Sequence, residues 1–244
     1  MDPKMTRKIA LLIFFASIFL LQTISCQVHG QSPPNFVQND NGVALYDVNG
    51  HPIVNPAVET EGFPLFLPKW KLGWLRLADN RLFPGVPLEL DLERQKVYYK
   101  RPDGTVIEVE AGQVKDLALQ DTIAGSIVAY QFACGFPSID NQSATSFYLV
   151  LDTGRVAFLE SMRKRLYQEK DEFGGNDKRE YRIYTDFYVF YRGKIARIKK
   201  DPDFFLTLTS DKHDQMQDYL KKNTVSFKST EDIRKFVHYY NGLP

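Results

Sequence analysis

The chain has 244 residues with 31 Lys and Arg against 30 Asp and Glu, a formal charge of +1. So even a balance excludes general nucleic-acid binding, which needs a basic surplus to displace counterions. The 43% apolar and 14% aromatic shares exclude a disordered chain, and the length fits one large domain or two small ones at roughly 150 residues each.

Residues 1–8 carry Lys4, Arg7 and Lys8, and residues 9–21 are a 13-residue run, apolar except for Ser17. At about 1.5 Å per residue that run is short for a bilayer span but right for the core of an export signal. Val28-His29-Gly30 then offers a small residue at a cut between Gly30 and Gln31, so residues 1–30 read as a signal peptide. Its removal leaves 28 positive against 29 negative groups in 214 residues, with no further transmembrane span in the mature chain. Cys26 opens an alternative, a lipid-anchored structural lipoprotein. Ser25 fits the lipidation box, although Thr23 stands where a bulky aliphatic is preferred. With the cut at Gly30 only Cys134 remains, too few for an internal disulfide; within IVAYQFACGF it reads as a small buried hydrophobe.

Residues 31–63 read as an irregular mature terminus. It begins with a polar stretch around Pro33-Pro34, then a short strand at 43–46 and a turn at Asn49-Gly50. Residues 64–200 read as an antiparallel β domain. Alternation begins at Trp70, a turn is expected at Pro84-Gly85, and residues 88–93 alternate Leu with Glu89, Asp91 and Glu93. Strands are expected at 96–100, after the Pro102-Asp103-Gly104 turn at 105–109, and at 114–119, 127–132 and 147–151. Residues 155–170 stay open between strand and helix. Residues 172–178 are a Gly174-Gly175 loop. Residues 181–192 form a long strand, apolar or aromatic on both faces and so covered on both sides, turning at Gly193 into 195–199.

Residues 201–244 change to a helical pattern. Asp201-Pro202 suits an N-cap and first helical position, yet Thr207 and Thr209 favour strand, so 201–209 is also open. Met216, Tyr219 and Leu220 share one helical face. Ser229 or Thr230 caps a last helix with Ile233, Phe236, Val237 and Tyr240 on one stripe. The expected fold is α+β: a curved antiparallel sheet or partial barrel, a meander, followed by two or three short helices packed on it.

Three patterns bear on chemistry. Glu89, Asp91 and Glu93 lie about 7 Å apart on one strand face, a spacing open to a carboxylate-dependent hydrolase but also to a solvated face answered by Lys96 and Lys100. Ser161-x-x-Lys164 would let Lys activate Ser on a helix, though the companion motifs are missing. The segment 179–200 is the densest in aromatic and basic residues. Arg182, Tyr184, Tyr188 and Arg192 on one face form a candidate stacking surface for a sugar ring, with strand packing as the plainer account. His51, His213 and His238 have no partners at metal spacing, and no cofactor-binding motif is present. Asp121-Thr122-Ile123 is similar to a short acceptor motif for O-glycosylation.

The stretches VALYDVNGHPIVNP, GVPLELDLERQKVYYKRPDGTVIEV, VAFLESMRKRLYQ, DFYVFYRGKIARIKK, DPDFFLTLTSDKHDQMQDYLKKN and FKSTEDIRKFVHYYNGL together resemble a family of uncharacterised exported proteins of the Bacteroidota. The resemblance spans most of residues 43–244 and implies a periplasmic or secreted location without an activity. The expectation is an exported envelope protein, non-enzymatic, binding a partner protein, a glycan or a small ligand.

Overall fold

The computed structural model describes residues 60–110, 112–169 and 178–244. The leader, Cys26, the strand and turn at 43–50, His51 and the Gly174-Gly175 loop lie outside the described residues.

Eleven strands form one sheet: β1 (Thr60–Glu61), β2 (Lys71–Leu77), β3 (Leu82–Asp91), β4 (Lys96–Lys100), β5 (Val106–Val109), β6 (Val114–Ile123), β7 (Ser126–Ala133), β8 (Tyr148–Asp152), β9 (Val156–Glu169), β10 (Lys178–Tyr191) and β11 (Lys194–Arg197). Their order is β1-β10-β9-β8-β7-β6-β2-β3-β4-β5, with β11 also on β10. Two meanders, β2–β5 and β6–β11, join where β2 pairs with β6. Only β1 runs parallel to its neighbour. The expected α+β class and curved, unclosed sheet therefore describe the molecule.

The curl follows from one distance. Leu92 follows β3, and Lys164 is on β9; five strand spacings of about 4.8 Å would hold β3 and β9 about 24 Å apart in a flat sheet. Instead Lys164 N donates to Leu92 O at 3.2 Å, and Gln95 Nε2 reaches Met162 O at 3.2 Å. Residues 63–67 fill the seam. Phe66 N donates to Leu90 O, Leu92 N donates to Pro64 O, and Lys164 Nζ donates to Phe63 O and Leu65 O. Side chains from β2 through β9, among them Leu75, Leu88, Val97, Leu117, Phe132 and Met162, meet inside in one apolar cluster.

The expected turn at Pro84-Gly85 is corrected. The β2–β3 turn lies at residues 78–81, where the Asp79 carboxylate accepts from Arg81 N at 3.0 Å. Pro84 and Gly85 sit inside β3. Gly73 pairs with Val86 and Trp74 with Pro84, so Gly85 is the extra residue of a bulge, at φ 66°. The prolines are tolerated because residues 82–87 pair with β2 alone, leaving no second ladder to break.

Residues 155–170 resolve as strand through Glu169, since β9 pairs with β10 in continuous register from Val156 to Glu169. Residues 202–208 resolve as helix. The helices are α1 (Pro202–Leu208), α2 (His213–Lys222) and α3 (Thr230–Gly242). The Asp201 carboxylate caps α1 by accepting from Phe204 N, and burial of Phe205 outweighs the strand preference of Thr207 and Thr209. The Ser229 hydroxyl caps α3 by accepting from Asp232 N. Phe205, Met216, Ile233, Phe236, Val237 and Tyr240 pack against Val156, Phe158 and Val189. On the opposite face of these strands, Tyr148, Leu159 and Tyr188 are buried under Phe136 and Ile139. This end of β9 and β10 is covered on both sides, as its two-sided apolar pattern predicts. Their other end is not covered in that way.

Candidate functional site

Away from the helices, β9 and β10 continue as a ribbon, with the short β1 along β10 at Arg179 and Glu180, and the register of β9 and β10 builds its exposed face. Directly opposed residues share a face, so Arg165 with Arg182, Arg163 with Tyr184 and Tyr167 with Glu180 line one side. Diagonal contacts knit them together. The Arg182 guanidinium lies 3.4 Å from the Tyr167 ring centroid and that of Arg165 lies 5.7 Å from the Tyr184 centroid. Glu180 takes Lys178 at 3.0 Å and also pairs with Arg182, whose charged form it favours. Arg163 and Arg165 have no carboxylate partner among the described residues. Tyr184 is 49% exposed and Tyr167 36%. The surface therefore combines two guanidinium groups without carboxylate partners among the described residues with two partly exposed aromatic rings, each carrying a guanidinium over one face.

The four residues singled out from sequence separate here. Arg182 and Tyr184 belong to the ribbon face. Tyr188 shares their alternation but is 0% exposed; its hydroxyl donates to Asp140 at 2.8 Å and its ring meets Tyr148 edge-on at 5.6 Å. Burial, with Asp140 beside it, pushes the Tyr188 hydroxyl pKa far up, so it is a neutral part of the core. Arg192 sits in the β10–β11 turn at φ 48°, over Tyr191, about 26 Å along the strand from Tyr184. The residues missed, Arg163, Arg165 and Tyr167, lie in the segment whose strand or helix state was open. Read as strand, its alternation alone places them together.

The remaining patterns are placed differently. Asp91 is 5% exposed, and its carboxylate accepts from Glu93 N and Arg94 N, closing the turn after β3. Glu89 stands on a strand against Tyr98, and burial raises its pKa against the pull of Lys100. Lys96 pairs with Glu108 instead. Ser161 and Lys164 are on a strand, where a spacing of three puts them on opposite faces. Ser161 accepts from Gln142 Nε2, while Lys164 serves the seam. Burial lifts the Cys134 thiol to about 11, and it donates to Val114 O, so it is unreactive near neutrality. His238 lies on the surface of α3, 2.9 Å from Asp152. Thr122 is exposed near the β6–β7 turn. Among the described residues no three His, Cys, Asp or Glu side chains are grouped to hold a metal ion, and no helix is long and apolar enough to cross a membrane.

No family model, curated protein or solved structure matches the chain.

Proposed function

We propose that this protein is an exported, non-catalytic binding protein of a bacterial envelope and that its ribbon face takes an acidic glycan. The leader pattern of residues 1–30 supports export, and the resemblance to exported proteins of the Bacteroidota points the same way. One observation carries the ligand class: Arg163 and Arg165 on β9, without carboxylate partners among the described residues, share a face with the partly exposed rings of Tyr167 on the same strand and Tyr184 on β10. Guanidinium groups meet carboxylate or sulfate with paired donors, and tyrosine rings lie flat against sugar faces. A neutral glycan would leave the guanidinium charges unanswered.

The test is a titration with oligogalacturonate, a sulfated oligosaccharide and neutral dextran. The acidic glycans bind, dextran does not, and affinity falls as salt rises because the ion pairs are exposed. The double variant Arg163→Ser, Arg165→Ser weakens binding by at least tenfold, about 1.4 kcal/mol, with an unchanged circular-dichroism spectrum. Equal binding of dextran, or binding indifferent to both substitutions, overturns the proposal.

A further inference from the structure

The partial barrel is plugged at one end and open at the other. At the seam end, Phe66 packs edge-on against Tyr130 and Phe132 with centroids 5.0 and 4.9 Å away, and Leu92 and Met162 fill the remainder. At the opposite end, β3 from Leu82 to Pro87 has β2 on one side and no paired strand on the other among the described residues. A cavity of ≈ 350 Å³ opens there, walled by Leu77, Phe83, Val86, Tyr99, Ile107 and Val109. Phe83, at 40% exposure, is an aromatic ring left partly open on this wall. The volume lies at the small end of the range for ligand sites, and barrel mouths are among the places such sites occur.

The rim adds a sign to the shape. Where β5 leaves toward β6, Glu110 accepts a hydrogen bond from Gln113 Nε2 at 2.9 Å and has no cationic partner among the described residues. Glu108, also at the cavity, is answered by Lys96. An apolar chamber with one uncompensated carboxylate at its lip is complementary to an apolar body bearing a cation, and it disfavours an anion. We propose that the barrel mouth binds a compact alkyl or arylalkyl amine, its hydrocarbon part against Phe83, Val86 and Ile107 and its ammonium at Glu110. This site is separate from the ribbon and does not depend on what the ribbon binds.

The experiment titrates the protein with octylamine, octanol and octanoate and follows the methyl NMR signals of Leu75, Val86, Ile107 and Val109. Octylamine gives saturable shifts and binds about fivefold tighter than octanol, the preference an exposed ion pair supplies, and octanoate binds weakest. Val86→Trp fills the chamber and abolishes the shifts. Glu110→Lys, at an exposed position, keeps the fold and reverses the order of amine and carboxylate. It decides the question even where Val86→Trp fails to fold. No saturable shift with any of the three, or an order of affinity unchanged by Glu110→Lys, overturns the proposal.

Discussion

Gly73 lies in the middle of β2, between β3 and β6, at a point where a side chain has no room. A Cβ there would stand 1.9 Å from the carbonyl oxygen of Ala118. That oxygen belongs to the β2–β6 junction, where the two meanders meet, so it cannot swing away without opening the ladder. Gly73→Ala is therefore expected to cost at least about 3 kcal/mol, the upper end for overpacking, seen as a lower urea midpoint. Glu160 carries a milder conflict. It sits half-buried on β9 opposite Phe187, and burial raises its carboxyl pKa. The folded state thus holds the proton more tightly than the unfolded one. The stability contributed by protonation is complete below the unfolded value and is lost as pH rises through the folded value. Glu160→Gln should match the parent near pH 4, about the unfolded value for Glu, and melt higher at pH 7, by roughly 2 °C. Thermal scans at the two pH values check this; a gain of the same size at both would remove the desolvation argument.

At the scale of elements, each feature was legible from the sequence where local pattern and tertiary demand agreed. Leu88, Leu90 and Leu92 alternate with Glu89 and Asp91 and are buried as that alternation requires. The stripe of Ile233, Phe236, Val237 and Tyr240 is the buried face of α3. Pro84-Gly85 misled because the same two residues that make a turn also make a bulge, and only the partner strand distinguishes them. In Val156–Glu169, charged residues with good helix propensity obscured a strand whose state is fixed by pairing with β10. The ribbon site was half visible for that reason: β10 supplied Arg182 and Tyr184 openly, while Arg163, Arg165 and Tyr167 needed the register. The polar clasp between α3 and the sheet left no pattern, because three of its hydrogen bonds come from one side chain. Asn241 donates to Asp152 Oδ1 and Val156 O and accepts from Val156 N, clasping α3 to the β8–β9 turn. Asn241→Ala is expected to cost about 2 kcal/mol for three partly buried hydrogen bonds. Ser229→Ala, the loss of one cap, is expected to cost about 1 kcal/mol. Chemical denaturation of the two variants tests the ranking; a larger loss at Ser229 would mean that α3 is held by its own start rather than by the clasp.

For the molecule as a whole, the consequential contact is the one that turns an open sheet into a nearly closed one. Two interior strands far apart in strand order, β3 and β9, are joined near Gln95, a residue in a turn at φ 54°. Its amide nitrogen donates to Leu92 O and Met162 O, and its amide oxygen accepts from Phe147 N. One side chain thus binds the β3–β4 turn, β9 and the approach to β8 together. The apolar cluster inside needs that closure, because Leu92, Phe147 and Met162 would otherwise face solvent from separate parts of the sheet. Gln95→Ala leaves the partly buried Phe147 N–H without its acceptor and is expected to cost roughly 2–3 kcal/mol. The cost should be local first. The seam has few backbone hydrogen bonds of its own, whereas β9 and β10 are paired along their full lengths. Hydrogen exchange in Gln95→Ala is therefore expected to rise at the amides of Phe147 and Lys164 by more than tenfold, with the β9–β10 amides protected as before. A uniform rise at all these amides would mean that the seam opens only with global unfolding, and that the curl is held by the apolar interior alone.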